Sequence, residues 1–172
     1  RISGGAGHDD VYTDVYYAGK VLKNIIIDAG DGDDIIDYWN NSDTKTKKVK
    51  VYGGSGNDKF YLRPLRENDN TYFDLGSGDD TVLVSAVPQS RDMVIYGGDG
   101  FDVLDLSGGW DRQNYWGLTR DANGLVSAKW ANYVDKNGVR YEQIVRLPGF
   151  EAIKYDGSEV ITLSSYPDLP LA

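Results

Sequence analysis

A glycine-rich turn that closes on an aspartate occurs five times in this chain at nearly even spacing, and that recurrence limits the fold more than any other feature. The segments are GGAGHDDVY from Gly4, AGDGDDIID from Ala29, GGSGNDKFY from Gly53, LGSGDDTVL from Leu75 and GGDGFDVLD from Gly97. Each reads G-G-x-G-x-D-x-U, where U is apolar, and Ala29 and Leu75 stand in for the first glycine. The sixth-position residues Asp9, Asp34, Asp58, Asp80 and Asp102 are separated by 25, 24, 22 and 22 residues.

The flanks repeat as well. Two residues before each turn stand Ile2, Ile27, Val51, Phe73 and Ile95, and two after each aspartate stand Val11, Ile36, Phe60, Val82 and Leu104. Two residues further out come Ile25, Val49, Thr71 and Met93 on one side and Thr13, Tyr38, Leu62, Val84 and Leu106 on the other. A spacing of two on both sides of a turn is strand alternation with one face buried. Each period is therefore strand, Gly-Asp turn, strand and a return segment of variable length. One such unit cannot bury its apolar face alone, whereas stacked copies bury a continuous column. The expected fold is all-β: a right-handed parallel β-solenoid of about five coils, with the Gly-Asp turns on one edge and a β-rich C-terminal cap.

Stacking at about 4.8 Å per coil would set the five aspartates in a ladder. Carboxylates that close repel unless something positive lies between them. Glycines permit left-handed turns that expose carbonyl oxygens, so each turn offers backbone oxygens and one carboxylate. Two consecutive turns can supply the six to eight oxygens that Ca²⁺ prefers.

Composition agrees. The net charge of −9 and sequence pI near 4.5 disfavour nucleic acid and anionic membrane surfaces and favour cations. The absence of cysteine excludes disulfides, thiolate metal sites and Cys nucleophiles. No apolar run approaches a membrane span, and the chain opens at Arg1 directly in the repeat, so it reads as a piece of a longer protein. The single histidine, His8, falls at a variable turn position and has no evident partner for general-base work.

The five segments resemble the nonapeptide repeat of the RTX, or hemolysin-type, exoproteins of bacteria. The resemblance implies Ca²⁺ between stacked turns, with Asp9, Asp34, Asp58, Asp80 and Asp102 as ligands. Carbonyls would come from Gly5, Gly7, Gly30, Gly32, Gly54, Gly56, Gly76, Gly78, Gly98 and Gly100, and side-chain oxygens from Asp31 and Asp99. Five turns leave four gaps, hence about four ions. Family repeats run back to back every nine residues, so that both edges carry turns; here one turn occurs per 22 to 25 residues. Calcium is accordingly expected on one edge only, opposite variable loops such as NNSDTKTKKVK (40–50) and RPLRENDN (63–70). The segments DVLDLSG (102–108) and LPGFEAIKYDGSEVITL (147–163) are similar to flanking coils of such exoproteins, with Phe150, Glu151 and Ile153 in the matching places, and YDGSEVITL is expected to hold no ion.

Residues 1–108 are thus read as calcium-binding repeats and 109–172 as the cap. The turn signals DANG (121–124) and DKNG (135–138) predict two hairpins or a meander. Trp110, Trp116 and Trp130 with Tyr115, Tyr133 and Tyr141 are read as cap core, with a sugar-stacking platform as the alternative. The expected function is a calcium-binding structural module of a larger secreted or surface-attached bacterial protein, folding on Ca²⁺ outside the cell. Its partners would be calcium and neighbouring domains of the same chain, without nucleic acid or membrane insertion and without catalysis. The alternatives are an adhesion module for a glycan or cell-surface ligand and, ranked below it, a calcium-dependent polysaccharide lyase or epimerase.

Overall fold

A computed structural model describes residues 1–14, 21–40, 45–65, 68–85, 90–91, 93–106, 115–134, 140–155 and 159–165. The five Gly-Asp turns join five strand pairs: β1 (Ile2–Ala6) to β2 (Asp10–Asp14), β3 (Val21–Asp31) to β4 (Ile35–Asn40), β5 (Lys45–Ser55) to β6 (Lys59–Leu65), β7 (Asn68–Ser77) to β8 (Thr81–Val84), and β10 (Met93–Asp99) to β11 (Val103–Asp105). The short β9 (Ser90–Arg91) pairs with β7. First members of the pairs line up as one parallel sheet, β1-β3-β5-β7-β10, and second members as another, β2-β4-β6-β8-β11. This is the parallel β-solenoid that the repeat implies.

Pairing register reproduces the columns read from the sequence. Ile2, Ile27, Val51, Phe73 and Ile95 stand opposite one another in the first sheet, and Val11, Ile36, Phe60, Val82 and Leu104 in the second. All are buried except Ile2, 44% exposed, whose strand is the open end of its sheet. Edge-on ring contacts tie the sheets together, Phe60 to Phe73 at 6.4 Å and Tyr38 to Phe73 at 6.0 Å between centroids. Burying each aliphatic or aromatic side chain of these columns contributes about 1.5–3 kcal/mol.

The expected loops on the opposite edge are shorter than the sequence suggests. β5 already begins at Lys45, so strand covers most of NNSDTKTKKVK, and β6 runs through Pro64 to Leu65. Two devices let the chain keep pairing while it turns. In β6, Tyr38 pairs with Leu62 but Asn40 with Leu65, an extra residue beside Pro64, which has no N–H for the ladder. In the first sheet, Asn24, Lys48 and Asn70 adopt φ of 59°, 58° and 55° at the same level of β3, β5 and β7. This left-handed column bends the sheet, so that Thr46 and Val49, three residues apart, both face the core.

Asparagine tolerates the left-handed region and lysine does not, at about 1–2 kcal/mol for an ordinary L-residue. Lys48→Asn is expected to stabilise the protein by about 0.5–1 kcal/mol, raising its melting temperature by roughly 1–4 °C. A lower melting temperature would overturn the bend account.

The C-terminal strands extend both sheets. β12 (Tyr115–Arg120), β13 (Val126–Val134) and β14 (Arg140–Arg146) form an antiparallel meander, with β14 parallel to β10. β15 (Ala152–Tyr155) runs parallel to β11, and β16 (Glu159–Thr162) folds back against it before a short 3-10 turn at Leu163–Ser165. DANG makes the β12–β13 turn: Asp121 Oδ1 accepts the N–H groups of Asn123 and Leu125 at 2.8 and 2.9 Å, and Gly124 takes a φ of 85°. DKNG lies outside the described residues, between the antiparallel β13 and β14. Trp110 also lies outside them, as do the side chains of Tyr115, Trp116, Trp130, Tyr133 and Tyr141. β14 and β15 together make a sixth rung, stacked on β10 and β11.

Candidate metal centre

The turn edge is a stack of backbones at close quarters. The second-position glycines Gly5, Gly30, Gly54, Gly76 and Gly98 end the strands of the first sheet in register with one another. The fourth-position glycines Gly7, Gly32, Gly56, Gly78 and Gly100 follow them, and all ten have φ between +107° and +140°. N–H groups of Gly7, Gly32, Gly56 and Gly78 donate to the third-position carbonyls of Asp31, Ser55, Ser77 and Asp99 one rung along, at 2.7–2.8 Å. Ala29 and Leu75, at the first position, are fully buried and leave their turns with the dihedrals of the others.

The glycines are also a packing requirement that the sequence alone does not announce. A Cβ on Gly54 would collide with the Gly30 carbonyl, and one on Gly32 with the Gly7 carbonyl. Positive φ and close approach thus demand glycine at the same positions.

Two ladders of side-chain bonds line this edge. In the inner one, the N–H of Asp9 donates to Asp34 Oδ1 at 2.7 Å, Asp34 to Asp58 at 2.8 Å, Asp58 to Asp80 at 2.7 Å and Asp80 to Asp102 at 3.0 Å. The predicted aspartates are therefore brought together in one line. In the outer one, fifth-position oxygens accept the N–H of the rung that follows: Asp33 from Asn57 at 2.7 Å, Asn57 from Asp79 at 2.8 Å and Asp79 from Phe101 at 2.9 Å. This exposed ladder was not evident from the motif, in which position five is variable. His8 occupies its first place, exposed, with Nδ1 donating to the Asp33 carbonyl at 2.9 Å, and that carbonyl together with the Asp33 charge raises its pKa. Asp31 and Asp99 are exposed at the rim, and Asp31 Oδ1 accepts the Ser55 hydroxyl at 2.8 Å.

The inner ladder leaves a charge problem. Asp34, Asp58, Asp80 and Asp102 are at most 1% exposed, and Oδ2 of each, like that of Asp9, is buried without a hydrogen-bond partner. Ionised carboxylates in that setting are costly. Burial pushes Asp58 and Asp80 up to about 6 and Asp102 to about 7; the N–H bond from the preceding rung offsets part of the rise, and the charge of that rung's aspartate adds to it. The edge calls for positive charge, either protons or a metal ion.

The donor set suits a hard cation, being all oxygen. Beside Gly97, Asp102 Oδ2 and the Gly149 carbonyl face the same point, at 2.6 and 2.5 Å from where a Cβ would stand. Beside Gly53 the corresponding pair is Asp58 Oδ2 and the Leu75 carbonyl, and beside Gly4 it is Asp9 Oδ2 and the Ala29 carbonyl. Among the described residues no three acidic, histidine or cysteine side chains converge to hold a metal. A cation on this edge would have to be shared between rungs and completed by backbone oxygens.

One carboxylate escaped the motif. The ladder does not stop at Asp102, whose N–H donates to Glu151 Oε2 at 2.8 Å. The usable signal was the offset, since Glu151 precedes the buried Ile153 by two residues, as each ladder aspartate precedes its apolar partner. Comparisons with protein-family models, curated proteins and solved structures return no match.

Proposed function

We propose that this chain is a calcium-binding, RTX-like solenoid module of a larger secreted bacterial protein, with a structural role and no catalysis of its own. One observation carries the reading: four carboxylates in register, Asp34, Asp58, Asp80 and Asp102, each with one oxygen fixed by a backbone N–H and the other buried and unpaired. Asp9, Asp34, Asp58, Asp80 and Asp102 would hold the ions with turn carbonyls of adjacent rungs. Bound calcium supplies the positive charge that the edge lacks. Without it, charge repulsion and desolvation oppose stacking of the rungs, so folding and binding are coupled. Millimolar extracellular calcium would then favour the folded module after export.

The test is far-UV circular dichroism with thermal melting, in EDTA and with calcium titrated to about 10 mM, which spans the affinities of weak extracellular sites. A cooperative gain in β signal and a rise in melting temperature are expected. An identical melt in EDTA and calcium would overturn the reading and leave the aspartates as turn-shaping residues.

A further inference from the structure

Glu151 takes the sixth-position place of a turn that has no Gly-Asp motif. Its backbone neighbourhood repeats that of the aspartates: Ala152, next in sequence, donates its N–H to the Asp102 carbonyl at 3.1 Å, as Val103 does to the Asp80 carbonyl at 2.9 Å. Pairing of Leu104 with Ile153 fixes the same register. The turn itself is shorter. Eight residues, 95–102, separate Val94 from Val103, whereas five, 147–151, separate their partners Arg146 and Ala152. Glutamate has one more methylene than aspartate, and that arm reaches the Asp102 N–H across the shortened turn.

A second observation marks the gap between these turns as more than a hydrogen-bonded end. Asp102 is 0% exposed, with Oδ2 unpaired and directed to the point beside Gly97 that the Gly149 carbonyl also faces. Gly149 adopts a φ of 81°, and the carbonyl before it, that of Pro148, accepts the Gly97 N–H at 2.8 Å. The gap therefore offers an unpaired buried carboxylate oxygen, a backbone carbonyl oxygen and a further carboxylate.

We propose that Glu151 is the sixth carboxylate of the metal edge and that, with Asp102 and the Gly149 carbonyl, it forms a cation site between the fifth Gly-Asp turn and the shortened sixth turn. This rests on the calcium reading above and extends it from four gaps to five. Because 49 residues separate Asp102 from Glu151, an ion there also fastens the C-terminal strands to the repeats.

The experiment is native mass spectrometry of the intact chain at saturating calcium, wild type beside Glu151→Gln. The amide keeps the length of the arm and an oxygen for the Asp102 N–H, and removes only the charge. The variant is expected to bind one calcium fewer than the wild type. Equal numbers would overturn the proposal while leaving the calcium reading intact; a wild type that binds none would overturn both. If the variant does not fold, the wild-type count decides, five ions supporting the fifth gap and four overturning it.

Discussion

Gly54→Ala is expected to lower the melting temperature far more than Gly5→Ala, with or without calcium. The two glycines share a backbone conformation, φ of 122° and 123°, so an alanine at either meets the same dihedral strain of about 1–2 kcal/mol. Only Gly54 has a rung on both sides. Its added methyl would run into the Gly30 carbonyl, with the carbonyl carbon 2.7 Å away, whereas at Gly5 nothing lies within 4 Å. Forced displacement of a packed backbone adds about 1–3 kcal/mol. For a chain of this length the total corresponds to a fall of roughly 4–20 °C for Gly54→Ala and a clearly smaller one for Gly5→Ala. Parallel melts of the two variants measure the difference. Equal falls would mean that the stack relaxes around a methyl and that close approach is not what demands glycine there.

In EDTA the protein is expected to be more stable at pH 5 than at pH 8. Asp58 and Asp80 are pushed up to about 6 and Asp102 to about 7, chiefly by burial, so the folded state holds protons that the unfolded state, near the ordinary 3.8, has released. Stability from a raised carboxyl is present at low pH and lost as pH rises through the folded value. The loss should fall between about pH 5 and 8 on these shifts. Calcium opposes the trend, since the same oxygens must be deprotonated to bind it, and its midpoint should move to higher concentration as pH drops through that window. Asp58→Asn, which removes a buried charge and keeps an oxygen for the Asp34 N–H, should raise the EDTA melting temperature at pH 8 and weaken the calcium response. A flat EDTA profile from pH 5 to 8 would overturn the buried-charge account of this edge.

How far the sequence disclosed this arrangement depends on whether a feature repeats. Ile27, Val51, Phe73 and Ile95 announced a column because alternation and period agree, and the aspartates announced a ladder because glycines surround each one. The bend at Asn24, Lys48 and Asn70 was hidden, because a lysine in the left-handed region leaves no compositional mark. Glu151 was legible as a position in a flanking coil but not as a member of the ladder, because its turn dispensed with the glycines, and the strand register returns it to the line. The glycines were legible as turn formers but not as contact points, since contact depends on what the neighbouring rung places opposite them.

The inner ladder keeps its bond lengths at 2.7–3.0 Å whether 25, 24, 22 or 49 residues lie between consecutive carboxylates. The longest of these intervals carries β12 and β13 as a complete excursion that leaves after β11 and rejoins the stack at β14. Spacing along the chain is thus decoupled from spacing along the solenoid. Evolution can lengthen, replace or embellish the far side of any coil, even with new folded elements, while inheriting an unchanged assembly edge. Such a molecule is a chassis in which one margin is conserved by geometry and the other is free to diversify.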